Sequence, residues 1–135
     1  MKNLIIASVL ALVSTVAYAQ DNDFKTCYAN VCELGELTVS QLASTDQIEV
    51  RSIETNETYD IISFTIEFIQ GDKKYECTGR GNMLDARCKV FREKLLVGDH
   101  MIVEDVVFKD IKGGGKIRTA PELNIEVVKP PYLED

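Results

Sequence analysis

The sequence predicts an all-β protein, mainly antiparallel, with an immunoglobulin-like sandwich and one short inserted helix. Three observations lead there. Ile62, Phe64, Ile66 and Phe68 alternate with polar residues, the period of a strand covering a core. Turn-sized spacers such as Gly71-Asp72 separate successive apolar runs. Only the stretch from Asn82 to Gly98 carries a helical period. The alternative is an α+β fold with one sheet and a packed helix, which periodicity separates poorly from the first.

The chain opens with the pattern of a secretory signal peptide over residues 1–19. Lys2 supplies the positive start, Leu4 to Val16 the apolar middle, and Ala17-Tyr18-Ala19 the cleavage site. No cysteine stands at its exit, so a lipoprotein anchor is not supported, and no later apolar run is long enough to span a bilayer. Cleavage of 19 from 135 residues leaves 116, about one domain. That mature chain carries 14 basic and 22 acidic residues, since only Lys2 is lost. Nucleic acid and anionic lipid surfaces bind through Lys and Arg, so this charge excludes both as partners.

Residues 20–36 read as a polar N-terminal arm pinned by Cys27 and Cys32, ahead of a β-rich domain at 37–129. Leu37 to Leu42 is a short strand or a single turn. Gln47 to Ile53 alternates Ile48, Val50 and Ser52 as a half-buried strand. Glu54 to Thr58 is a polar loop containing the glycosylation tripeptide Asn56-Glu57-Thr58, which matters only if the source glycosylates. Tyr59 to Gln70 is the clearest strand, and Gly71-Asp72 turns it into a return strand from Lys73 to Thr78, ended by Gly79-Arg80-Gly81. A helix follows, with Asn82 as N-cap, Leu84, Cys88, Phe91 and Leu95 on its buried stripe, and Gly98 at its exit. His100 to Lys109 is a strand whose inward set changes phase, which a bulge near Glu104-Asp105 would accommodate. Lys112 to Gly115 is a flexible turn. Lys116 to Arg118 and then Leu123, Ile125 and Val127 complete the strands, before an acidic tail at 130–135.

Four cysteines in an exported domain favour disulfides, with three connectivities open. Local pairing, Cys27 with Cys32 and Cys77 with Cys88, is the simplest. The second bridge would staple the helix to the sheet. A Cys-x4-Cys in a polar arm is not the two-residue spacing of a thiol oxidoreductase. His100 is the only histidine and has no ligand or nucleophile at useful spacing, so no catalytic, cofactor or metal residues are assigned. The carboxylates Glu54, Glu57, Asp60, Glu104 and Asp105 read as solvated surface.

In order and spacing, Leu37 to Leu42, Ile61-Ile62-Ser63-Phe64, Leu95 with Gly98, Val103-Glu104-Asp105-Val106 and Arg118 together resemble the C-terminal domain family of the gliding motility protein GldM. That family is a periplasmic part of the Bacteroidetes gliding and type IX secretion machinery. The resemblance covers roughly Leu37 to Val128 and implies a β-rich contact module that assembles with itself and with envelope proteins. The cysteines lie outside the family pattern, and no proton-conducting helix is present to carry over a motor role. The expected function is therefore an exported, non-catalytic protein–protein interaction module of the periplasm, with no cofactor and no membrane insertion after cleavage. The alternative is a secreted small-ligand or peptide-binding, inhibitor-like domain. The expected contact surface is an exposed edge of the last strands, at Ile117, Leu123, Ile125 and Val127.

Overall fold

The computed structural model describes residues 22–133; the leader expected at 1–19 and the last two residues of the tail lie outside that range. The elements are β1 (Phe24–Tyr28), β2 (Val31–Cys32), β3 (Leu34–Leu37), α1 (Val39–Leu42), β4 (Ile48–Ser52), β5 (Thr58–Tyr59), β6 (Ile61–Gln70) and β7 (Lys73–Arg80), followed by α2 (Ala86–Glu93), β8 (His100–Asp110), β9 (Lys116–Ala120) and β10 (Leu123–Val127). A 3-10 turn, Pro131–Leu133, follows.

Two sheets face each other. The smaller has the order β2-β1-β4-β5, and the larger β3-β10-β8-β6-β7 with β9 on the far half of β8. The run β10-β8-β6-β7 has the G-F-C-C′ order of an immunoglobulin variable sheet. One pair is parallel, β3 with β10; the other strand pairs are antiparallel. The chain is thus an all-β sandwich with short helices, as the alternation required. Phe24, Ile48 and Val50 of the small sheet meet Phe64, Ile66, Phe68, Val103, Phe108 and Ile125 of the large one in a single core. Beneath β6 and β7 the second sheet gives way to α2, whose Phe91 packs on Phe68 and Tyr75.

The central strands form where the alternation places them. Gly71 adopts φ 64° at the first turn position and closes β6 onto β7 with Gln70 opposite Lys73. The phase change in β8 is a bulge: Asp105 has φ 50°, and Met101 and Val103 before it and Val106 and Phe108 after it all face the core. A matching register shift across β6 turns Ile61 inward and leaves Ile62 exposed, correcting the inward position expected for Ile62.

The N-terminal arm is not an arm. From Phe24 onward it supplies three strands, and β1 is an interior strand of the small sheet, paired with both β2 and β4. The polar appearance comes from Thr26, which is fully buried because its hydroxyl donates to the Pro121 carbonyl at 2.6 Å. Leu37 to Leu42 divides between the end of β3 and the one-turn α1, where Thr38 and Gln41 form a reciprocal capping box.

The long helix starts later than expected. Asp85, not Asn82, caps α2 by accepting the Cys88 N–H at 2.9 Å. Asn82 is instead a clasp between the sheets. Its backbone carbonyl and Nδ2 hold the two backbone groups of Ile48 at 2.7 and 3.0 Å, while Oδ1 accepts the Ile61 N–H at 3.2 Å. The exit is also earlier, at Lys94, and Gly98 serves a separate turn whose N–H donates to the Val127 carbonyl at 2.8 Å.

Both local disulfides are formed. Cys27–Cys32 joins directly opposed residues of β1 and β2, and Cys77–Cys88 ties the inner face of β7 to α2. Each closes a short loop and is worth roughly 2–3 kcal/mol on the chain-entropy account. No helix among the described residues is long and apolar enough to cross a membrane.

Candidate functional site

The outer face of the large sheet is where its chemistry collects. Because side chains alternate, Phe68, Cys77 and Val103 point inward and leave Glu67, Glu76 and Glu104 on the opposite face. Glu67 and Glu76 are directly opposed across β6 and β7. Carboxylate oxygens of the three glutamates lie within 4.8 Å of one another. Burial, then the neighbouring charge of Glu67 and further acids, raises the Glu104 carboxyl above the usual carboxylate range. Lys74, 3.5 Å from Glu67, is the ammonium paired to this group among the described residues. The arrangement repels anions and attracts positive charge.

His100 also lies on this face, with Nδ1 3.2 Å from Oδ1 of Asn124 on β10. The four cysteines are all in bridges. The expected contact edge is corrected here for β10: Leu123, Ile125 and Val127 face the core and are fully buried, and the strand lies between β3 and β8, hydrogen-bonded on both sides. Ile117, half-buried, does stand at an edge: its strand β9 pairs with β8 alone among the described residues. Sequence spacing shows a last strand but not its place in the sheet, and a last strand need not be an outer one.

Of the strands at a rim of this sheet β7 is the longest, with eight residues against four in β3 at the other end and five in β9, which pairs with β8 alone among the described residues. All eight residues of β7 pair with β6, and among the described residues no other group bonds to its main chain. It carries no proline and no bulge. Its one interior glycine has a packing role: a Cβ on Gly79 would sit 2.3 Å from Cζ of Phe64, the residue directly opposite. This role was missed, since Gly79-Arg80-Gly81 reads as a turn.

A second feature occupies one end of the sandwich. A cleft of about 830 Å³ opens between the β4–β5 and β8–β9 connections, with Phe24 and Tyr59 on its wall. Two ion pairs line it: Arg118 Nε donates to Asp110 at 2.8 Å, and Lys112 pairs with Glu57. The Lys112 ammonium holds the Glu57 carboxyl below its ordinary range, chiefly through that hydrogen bond. The glycine-rich turn beside it is braced rather than loose. Asp110 is buried and accepts the Gly113 N–H through side chain and main chain, at 2.9 and 3.1 Å, and the Gly115 N–H at 2.8 Å. Glu54 lines this cleft, while Asp60 is exposed beyond it.

At the other end, α2 is anchored to the small sheet. Arg92, 6% exposed, donates from Nη1 to the Tyr28 hydroxyl at 2.9 Å, the Thr45 carbonyl at 2.8 Å and Asp46 Oδ1 at 2.7 Å. Tyr28 in turn donates to the carbonyls of Leu42 and Thr45. Burial pushes the Tyr28 hydroxyl up, partly offset by Arg92, while the Arg92 hydrogen bond holds Asp46 below its usual value. This network fixes the fold and contributes no residue to the end cleft.

No protein-family model matches the chain, and no characterised protein sequence matches it.

Proposed function

We propose that the chain is an exported, non-catalytic interaction module of the cell envelope, accessory to gliding motility or type IX secretion machinery of the kind its strand pattern resembles. One observation carries the reading most directly. The residues best suited to nucleophilic or redox chemistry are committed elsewhere, with all four cysteines oxidised and the sole histidine held by Asn124, while an eight-residue strand keeps its outer main chain open. Two disulfides suit an oxidising compartment, the periplasm or the exterior. The periplasm is the compartment favoured by the gliding-apparatus resemblance. Chemical crosslinking at native abundance, followed by mass spectrometry of envelope fractions, tests the reading. It requires a reproducible set of envelope partners; a chain recovered without any is not such a module.

The end cleft supports a second reading, a small-ligand or peptide binder. Its volume falls in the range of small-molecule sites, and Phe24 and Tyr59 give it an apolar wall beside paired charges. Thermal shift against a ligand and protease panel separates the two, because a ligand held by the folded state raises the melting temperature.

A further inference from the structure

We propose that β7 pairs antiparallel with β7 of a second copy of this chain, about a two-fold axis passing through Tyr75. The inference rests on the contact-module reading and names one partner and one surface for it.

The edge itself is the first argument. An open strand invites pairing, and proteins that avoid it shorten, bend or cover such edges. Here the strand is eight residues long and regular, and its outer N–H and C=O groups have no partner among the described residues.

Symmetry then limits the register. A two-fold axis normal to a continuous sheet sets same-face residues opposite each other, so the axis must pass through a residue. Centring on Lys74 or Glu76 places that charge against its own copy. Centring on Cys77 sets Lys74 against Arg80. Centring on Tyr75 places Lys74 opposite Glu76 of the second copy, and Glu76 opposite its Lys74. Both residues are exposed and on the outer face.

That register also answers an imbalance. Three carboxylates meet at Glu67, Glu76 and Glu104, yet Lys74 is engaged with Glu67. A second copy brings another ammonium beside Glu76. On the inner face, Tyr75 already stacks on Phe91 with ring centroids 5.3 Å apart, and the axis extends that stack through a second Tyr75. A Thr78-centred register also joins unlike charges, Glu76 with Arg80, but leaves Tyr75 outside and places Gly79 and a disulfide-bonded Cys77 at the centre.

Sedimentation equilibrium of the exported chain tests this at concentrations to about 200 µM, above the micromolar range of weak interfaces. The wild type is expected to dimerise. Lys74→Glu or Glu76→Lys alone should weaken self-association about tenfold or more, since each turns two attractive pairs repulsive. Mixed together, the two variants should form a heterodimer, and the double variant should recover the homodimer. Lys74, Glu76 and Arg80 are all exposed, and unchanged melting temperatures verify that the fold is kept. A wild type that stays monomeric overturns the proposal. So does a dimer broken by Arg80→Glu but not by Lys74→Glu. If the chain is monomeric while envelope partners are still crosslinked, the dimer fails and the module reading stands; recovery of neither removes both.

Discussion

Arg92 Nη1 lies 2.9 Å from the hydroxyl of Tyr28, and through that contact α2, the longest helix among the described residues, is fastened to an interior strand of the opposite sheet. The guanidinium also satisfies the Thr45 carbonyl and Asp46. Removing it takes one partner from each of three polar groups, although Thr45 keeps the Tyr28 hydroxyl and Asp46 keeps Lys89. Arg92→Met should cost about 2 kcal/mol, because the hydrogen bonds of a buried guanidinium are lost while its partners keep others. Urea unfolding measures it. A loss below about 0.5 kcal/mol would place Arg92 among ordinary surface charges.

The same network sets an acid dependence. Arg92 depresses the Asp46 carboxyl, so its contribution is present above the unfolded value of about 3.9 and is lost as pH falls through the lower folded value. Urea midpoints of wild type and Asp46→Asn should therefore differ at pH 6 and converge toward pH 2. The cost at pH 6 should be about 1 kcal/mol, modest because Asp46 is partly solvated. A difference independent of pH would contradict the assignment.

Phe64 occupies the space of the side chain that Gly79 lacks. Gly79→Ala should destabilise by about 2–3 kcal/mol through overpacking. Pairing it with Phe64→Leu should return part of that loss, since the clash is with ring atoms. Double-mutant thermal melts decide; strictly additive losses would show that the ring is not the cause.

The β1–β2 hairpin turns through Ala29 and Asn30, both at positive φ, 50° and 68°. An alanine there carries a left-handed penalty that glycine does not. Ala29→Gly should stabilise by about 0.5 kcal/mol after the entropy cost of glycine is subtracted. A lower melting temperature in calorimetry would contradict the turn geometry.

Much of the large sheet was legible because its side chains obey one period at a time. Phe64, Ile66 and Phe68 alternate cleanly, Gly71 supplies the turn, and the double phase of β8 could be resolved only by a bulge at Asp105. Cys88 on the helix stripe pointed to Cys77, and the bridge is there. The failures have physical causes. β1 was hidden by Thr26, a polar residue buried at the cost of one hydrogen bond to a residue far along the chain. Asn82 looks like a cap because its side chain accepts backbone N–H groups, but the group it accepts belongs to Ile61. Strand order is set by long-range pairing, so the position of β10 between β3 and β8 left no local mark. The open edge of β7 was invisible for the same reason.

Site-specific photo-crosslinking in the producing cells, with the probe at exposed Thr78 beside the rim of β7, tests most directly the claim that this chain works by contact. The account requires discrete adducts, among them one of twice the chain's mass that disappears with Lys74→Glu. Free chain alone, at native abundance and with a probe shown to be active, would contradict it.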